Sequence, residues 1–193
     1  ASARGQRTAF APLPNASREA RMLQTRWGRS SIALLNADAT PNTVRTAAQR
    51  ARIVHFACHA TINDRDPYDS ALVLWSPEDE TRLLRAIDVM GQWRLRADLA
   101  MLSACGTNAG VLRRYEGVYG LARAFLFAGA RSVGATLWKI DDAATYRLME
   151  AFYTLYLAGA PKDESLQRAQ LSLIRVPQYR DPYFWSGLVL IGD

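Results

Sequence analysis

The chain has 193 residues, 49% of them hydrophobic, which is enough for one domain with a substantial core and too short for two. Its formal net charge is +6, but the arginines are scattered and only Lys139 and Lys162 are lysines. Scattered arginines are typical of solvated helix faces rather than of a phosphate-binding stripe, so we expect no direct nucleic-acid binding.

The sequence shows no pattern of a membrane segment or a metal site. No apolar run reaches the roughly 18 residues of a transmembrane helix, and the N-terminus lacks the apolar stretch of a secretory signal. Two cysteines suit a reducing compartment, and the two histidines provide no zinc-like spacing. We therefore expect a cytoplasmic protein with no membrane contact, no metal and no cofactor.

Short apolar runs alternate with amphipathic segments after an extended lead at residues 1–12. The predicted strands occupy residues 31–35, 52–58, 70–75, 98–104, 132–138 and 185–191, with a turn at 76–80. The predicted helices occupy residues 15–27, 42–51, 84–90, 116–129, 141–157 and 162–175. This alternation is typical of an α/β fold in which helices cover a mainly parallel sheet, and no linker divides the chain into two domains.

Two of the predicted strands end at potentially catalytic side chains, because His59 follows the run 52–58 and Cys105 follows the run 98–104. Parallel strands share the sheet edge at which α/β proteins bind ligands, so we expect both residues at one rim. A thiol becomes a nucleophile when an imidazole can take its proton. Either residue alone is more often a packing residue, but their joint placement favours His59 and Cys105 as a candidate pair.

The same strand carries a second histidine and the other cysteine. His55 shares a face with His59 but lies four residues earlier, about 13 Å down the strand, so we expect a hydrogen-bonded core histidine. Cys58 points to the opposite face, and we expect it to be a packing residue.

Five strings carry a resemblance to a known family: HFACHA, DPYDSALVL, RADLAMLSACGT, the stretch from EGVYG to FYTLY, and the closing FWSGLVLIGD. In this order they resemble the CHAT domain family, whose members are similar to caspases and separases. The resemblance covers nearly all of residues 10–193. It implies a caspase-like three-layer α/β sandwich with a mainly parallel sheet of about six strands. It also implies a cytoplasmic, bacterial cysteine endopeptidase in which His59 and Cys105 form the dyad.

The resemblance further assigns an oxyanion hole and a substrate pocket. The backbone N–H groups of Ala60 and Cys105, with Gly106, would hold the oxyanion, although most relatives have glycine where this chain has Ala60. In separases an aspartate after a Leu-Trp strand end binds a substrate arginine, which implies Asp142, with Asp141 as second choice, beside the loops 60–69 and 106–115. Helix capping accounts for Asp141 and Asp142 equally well. Glu116 could also face the cleft, but an acidic helix start is the simpler account.

The family context also predicts partners. CHAT domains are often joined to tetratricopeptide repeats, and relatives carry an additional strand-rich segment before the position of Leu13-Pro14. We therefore expect residues 1–193 to be one CHAT domain in the C-terminal part of a longer protein. Its partners would be a protein substrate and a repeat or other regulatory region in the same or a partner chain.

Two other functions and one further cleavage site are weighed beside the endopeptidase with a substrate protein. A catalytically silent CHAT domain acting as an interaction scaffold is the alternative. A nucleotide-binding domain is disfavoured, because GTNAG lacks the lysine and spacing of a phosphate-binding loop. Arg113-Arg114 is a candidate self-cleavage site if it lies at an exposed loop tip.

Overall fold

The computed structural model describes residues 10, 13–76, 82–106 and 116–193, with Cys105 and Gly106 described by their backbone alone. Within these residues the strands are β1 (Ile53–Thr61), β2 (Ala71–Val73), β3 (Leu83–Arg85), β4 (Leu99–Gly106), β5 (Ser132–Thr136) and β6 (Leu188–Gly192). The α-helices are α1 (Pro14–Trp27), α2 (Pro41–Ala48), α3 (Ala86–Gln92), α4 (Glu116–Phe127), α5 (Asp142–Leu157) and α6 (Lys162–Ile174). The predicted α/β class is confirmed.

The described strands form one six-stranded sheet in the order β3-β2-β1-β4-β5-β6. The predicted mainly parallel character is only partly matched, because parallel pairing is confined to β1, β4 and β5. The pairs β1–β2, β2–β3 and β5–β6 are antiparallel. Two consecutive helices, α5 and α6, separate β5 from β6, so the chain returns to the sheet at the end where β5 stops and β6 runs the opposite way.

Alternating side chains of β1 and β4 build a core on each face of the sheet, as a three-layer sandwich requires. On one face Phe56 contacts Phe125, with ring centroids 5.4 Å apart, under α4. On the other face Leu99 and Met101 belong to a cluster that includes Phe152 of α5. Among the described residues, no helix combines the length and apolar character that a membrane span requires.

Three predicted elements differ in the structure. Residues 31–35 form no strand, although Ser31 and Leu35 have extended backbone angles. The predicted helix at 84–90 starts as β3 and becomes helical only at Ala86. The last strand starts at Leu188 rather than at 185, because the carboxylate of Asp181 accepts a hydrogen bond from the Tyr183 N–H at 2.8 Å and holds a short helical turn before it.

Parts of other predictions fall on residues outside those described. These are most of the N-terminal lead, most of the turn at 76–80, and the loop after Gly106 with Arg113-Arg114. The predicted loop 60–69 is shorter, because β1 continues to Thr61 and residues 67–69 form a helical turn.

Candidate functional site

The backbones of the two predicted dyad residues are neighbours in the sheet. β1 and β4 are parallel, and their register pairs His59 with Cys105 and Ala60 with Gly106. Neighbouring strands lie about 4.8 Å apart, and positions paired in register belong to the same face of a sheet. His59 and Cys105 therefore occupy adjacent positions at the carboxyl ends of β1 and β4, on the face covered by α1 and α5.

The alternation of backbone hydrogen bonds between β1 and β4 indicates where the nearby backbone N–H groups point. The Leu99 N–H donates to the Arg52 carbonyl at 3.3 Å, and successive residues of a strand point their backbone groups to alternate sides. By this alternation the Ala60 N–H is directed toward β4 and the Cys105 N–H toward β1. The two groups converge on the space between the strand ends, whereas the Gly106 N–H is directed away from β1.

A side-chain hydrogen bond from β5 holds the peptide immediately before Cys105. Pairing between β4 and β5 ends at Leu102 opposite Ala135, so the two strands diverge there. The Thr136 hydroxyl crosses this gap and donates to the Ala104 carbonyl at 3.0 Å. Sequence reasoning missed Thr136, for which the signal was a hydroxyl within a mostly apolar predicted strand.

An aromatic side chain from the start of the chain covers part of His59, which is half-buried. The Phe10 ring lies 5.1 Å from the imidazole, measured between ring centroids, with the two planes 30° apart. The Arg82 guanidinium lies 4.8 Å from the centroid of the same Phe10 ring, within the range of a cation–π contact. Neither neighbour was predicted from the sequence.

The segment after β1 is held against α4 by close backbone packing. The Gly117 N–H donates to the Asp64 carboxylate at 3.1 Å. A Cβ on Gly117 would lie 2.6 Å from the Ile62 side chain, and a Cβ on Gly120 would lie 2.5 Å from the Pro67 carbonyl oxygen. The two glycines of the EGVYG string therefore let α4 approach the segment that follows the dyad histidine.

The three acids predicted to bind substrate all lie at helix N-termini. Asp141 caps α5, because its carboxylate accepts hydrogen bonds from the Ala143 and Ala144 N–H groups, both at 3.0 Å. Asp142 accepts a 3.0 Å hydrogen bond from the Asn15 N–H and so joins the starts of α1 and α5. Glu116 is the first residue of α4 and is half-buried. The helix-capping role weighed in the sequence is present at Asp141, whereas Asp142 binds the start of α1 instead.

The predicted core role of His55 is confirmed. Its Nδ1 lies 2.9 Å from the Tyr153 hydroxyl, and its Nε2 lies 2.8 Å from a carboxylate oxygen of Glu19, which is 2% exposed. Burial raises the pKa of Tyr153 well above its ordinary value, so the hydroxyl stays protonated and can donate to Nδ1. The close approach of Glu19 to His55 Nε2 is not an aligned hydrogen bond. This cluster joins α1, β1 and α5, and sequence reasoning missed Glu19.

Cys58 behaves as predicted for a packing residue. It is a half-buried cysteine that packs against the core cluster containing Phe56. Its position in β1 is on the opposite face of the sheet from His55.

Comparison with known proteins places this arrangement in a family. The family model for the CHAT domain matches residues 1–193. Tetratricopeptide repeat protein 28 from mouse and its counterpart from human are each 28% identical to the chain. Each alignment covers 95% of this chain but only 9% of the relative, so the chain spans a small part of the curated proteins it matches. The chain belongs to the CHAT domain family, a caspase-like family related to peptidases.

Proposed function

We propose that this CHAT domain is a cysteine endopeptidase in which Cys105 is the nucleophile and His59 is its base. The observation that carries the proposal is the register that pairs these two residues at the carboxyl ends of β1 and β4. Side chains from adjacent positions on one face of a sheet can reach hydrogen-bond distance of each other, which is what a thiol and its base need.

The reaction follows from the chemistry of the pair. His59 takes the Cys105 thiol proton, and the thiolate adds to the carbonyl carbon of the scissile peptide. His59 then gives that proton to the departing amine as the carbon–nitrogen bond breaks and a thioester remains. Water, deprotonated by His59, adds to the thioester, and the thiolate leaves as the carboxylic acid product forms.

The Ala60 and Cys105 N–H groups are the proposed donors to the oxyanion, because the alternation of β1 and β4 directs both toward the space between the strand ends. The register continues through Ala60 and Gly106, so a substrate carbonyl reaches these donors only when the last paired residues separate. Gly106 belongs to the proposed hole through its backbone as well. Because backbone groups alternate in direction along β4, the Gly106 N–H contributes only if the end of β4 turns.

The proposed substrate is a protein with a basic residue at the cleaved position. Asp142, with Asp141 as second choice and Glu116 at the start of α4, would supply the negative charge. One carboxylate oxygen of Asp142 accepts a hydrogen bond from the Asn15 N–H, and a carboxylate has further acceptor positions available for a guanidinium. The relatives are named as tetratricopeptide repeat proteins, so we propose that a repeat region of the same or a partner chain regulates cleavage in the cytoplasm.

A peptide probe that alkylates thiols at the carbonyl-binding position tests the dyad. We expect labelling at Cys105 and a rate at least about 100-fold lower in the His59→Ala variant, the usual contribution of a general base. Cys58 is the internal control, because it is the second cysteine of the chain and the proposal leaves it unactivated. Equal labelling of Cys58 and Cys105, or unchanged labelling of Cys105 in a folded His59→Ala variant, would contradict the peptidase.

The second candidate is a catalytically silent scaffold. The pairing of β1 with β4 favours this candidate. Because the pairing continues through Ala60 and Gly106, the proposed oxyanion donors are directed into the sheet rather than toward a substrate. The same labelling experiment separates the two candidates, because a scaffold predicts no dependence of Cys105 reactivity on His59.

A further inference from the structure

A groove on the surface of the described structure gathers arginines that are far apart in the chain. The groove has a volume of about 740 Å³ and lies between α5 and α6, next to the last turn of α1. Four arginines line it: Arg26 of α1, Arg147 of α5, Arg168 of α6, and Arg175, which directly follows α6. Of the described residues that line the groove, Glu150 alone is acidic. The fold therefore concentrates positive charge that is scattered in the sequence.

Two of these arginines already have a carboxylate partner. Arg26 lies 3.9 Å from the carboxylate of Glu150. Arg168 lies 3.3 Å from the carboxylate of Glu164, which is one turn earlier in α6. The four side chains are 35% to 53% exposed, so water and salt screen both pairs and neither contributes much to stability. A carboxylate from another molecule can therefore share these cations at little cost.

The other two arginines form no ion pair with a carboxylate among the described residues. The Arg147 guanidinium lies 5.6 Å from the centroid of the Tyr179 ring, within the range of a cation–π contact. Tyr179 follows Arg175 closely in the chain, so both cations lie at the end of the groove where α5 begins and α6 ends. Both arginines are exposed. This end of the groove thus carries the least compensated charge.

The floor of the groove is aliphatic. Ala151 and Leu155 of α5 line it together with Leu171, Leu173 and Val176. Leu171 is 45% exposed, so part of its apolar surface is open to a ligand. The described lining residues include no aromatic ring, whereas proteins that bind single-stranded nucleic acid stack the bases on aromatic side chains. The groove therefore fits an aliphatic side chain between charged groups better than it fits nucleotides.

We propose that this groove is the docking site for an acidic segment of a partner protein, with an aliphatic side chain between its carboxylates. Arg147 and Leu155 lie about two turns apart on α5, so the groove is about 12 Å long and matches about four residues of an extended chain. A carboxylate at one end of the segment binds Arg147 and Arg175, and a carboxylate at the other end binds Arg168. The aliphatic side chain between them packs on Leu171.

The chemistry of the guanidinium group supports this occupant. A guanidinium binds a carboxylate through two parallel hydrogen bonds, which fixes the orientation of the segment as well as attracting it. Exposed ion pairs are individually weak, so we expect binding that depends strongly on salt. Its affinity should fall at least about 10-fold between about 50 mM and 300 mM salt, because salt screens exposed charges.

Fluorescence anisotropy of a labelled peptide mixed with the chain tests the docking site. The probe has the sequence Asp-Glu-Leu-Asp-Glu-Leu-Asp-Glu, and we expect it to bind at low salt with a Kd below about 1 mM. Arg147→Glu combined with Arg175→Glu should weaken binding at least about 10-fold, because two attractive contacts become repulsive. The control combines Arg50→Glu with Arg123→Glu, which makes the same change of charge at exposed positions on the sheet face covered by α2 and α4. The control should change the affinity less than about 3-fold.

The outcomes separate the docking site from general attraction to a basic protein. Equal weakening by the two double variants, or no binding at about 1 mM peptide, would overturn the proposal. A peptide with serine in place of leucine should bind at least about 3-fold more weakly, and equal binding of both peptides would contradict the aliphatic contact. A single-stranded oligonucleotide that binds more tightly than the peptide, and through the same arginines, would assign the groove to nucleic acid instead.

Thermal unfolding shows whether each variant is folded. If charge reversal unfolds the protein, Arg147→Gln combined with Arg175→Gln takes its place and should still weaken binding at least about 3-fold. Unchanged affinity in that folded variant would also overturn the docking site. None of these measurements depends on Cys105 reactivity, so their outcome is separate from that of the proposed peptidase.

Discussion

Replacing Thr136 by valine removes one hydroxyl with almost no change of shape. The Thr136 hydroxyl donates the hydrogen bond that joins β5 to the Ala104 carbonyl, at the point where β4 and β5 diverge. Among the described residues, no other hydrogen bond to this carbonyl occurs on the β5 side. The Thr136→Val variant therefore leaves a buried carbonyl without a donor, next to the peptide N–H of Cys105.

The expected loss follows from burial. Thr136 is 3% exposed, and an unsatisfied buried acceptor costs about 1 to 3 kcal/mol. For a domain of this size 1 kcal/mol lowers the melting temperature by about 2 to 4 °C, so the variant should melt roughly 2 to 12 °C below the parent. The Thr136→Ser variant keeps the donor and should recover most of this difference.

The matched control is Thr145→Val, and urea and thermal unfolding measure both variants. Thr145 is 7% exposed, and its hydroxyl donates to the Asp141 carbonyl at 2.9 Å. That carbonyl already accepts the Thr145 backbone N–H at 2.9 Å, so the loss of the hydroxyl should cost below about 0.5 kcal/mol. Equal destabilisation of the two variants would refute the claim that, among the described residues, the Thr136 hydroxyl is the sole donor to the Ala104 carbonyl.

Two further predictions concern packing and charge. Gly120→Ala should lower the free energy of unfolding by about 1 to 3 kcal/mol, because its Cβ would meet the Pro67 carbonyl at 2.5 Å. The control Gly91→Ala, with open space around it in α3, should raise that free energy by up to about 1 kcal/mol; stabilisation by both would contradict the packing account. The Tyr156 hydroxyl is the main cause of the lowered pKa of Asp98, so this carboxylate stabilises the fold above its ordinary pKa and loses that contribution as pH falls. Tyr156→Phe should therefore raise the pKa of Asp98 and destabilise the protein more at neutral pH than at about pH 3, and an equal loss at both values in urea unfolding would refute the link.

Local periodicity predicted the elements that lie in the core. The buried runs that became β1 and β4 have apolar residues on both faces, and such runs are readable because helices cover the sheet on each side. The amphipathic pattern of α4 and the acidic start of α5 are equally local. The position of the candidate site at one sheet edge was predictable for the same reason, because His59 and Cys105 each follow directly after an apolar run.

Strand partners were not predictable in this way. The sequence of residues 31–35 is strand-like, but a strand needs a neighbour, and none of the described segments pairs with it. The reversed direction of β6 depends on two helices packing together before the chain returns to the sheet. Pairing is a long-range property, so it was decided by tertiary structure rather than by local composition.

By itself, the sequence determined the alternation of strands and helices and the placement of His59 and Cys105 at strand ends, because apolar periodicity and turn residues act over a few neighbouring positions. Only the tertiary structure decided which residues surround those ends. The Thr136 hydroxyl reaches Ala104 from another strand, and Glu19 reaches His55 from another helix. Such contacts join residues far apart in the chain, and they form only where packing brings their elements within hydrogen-bond distance.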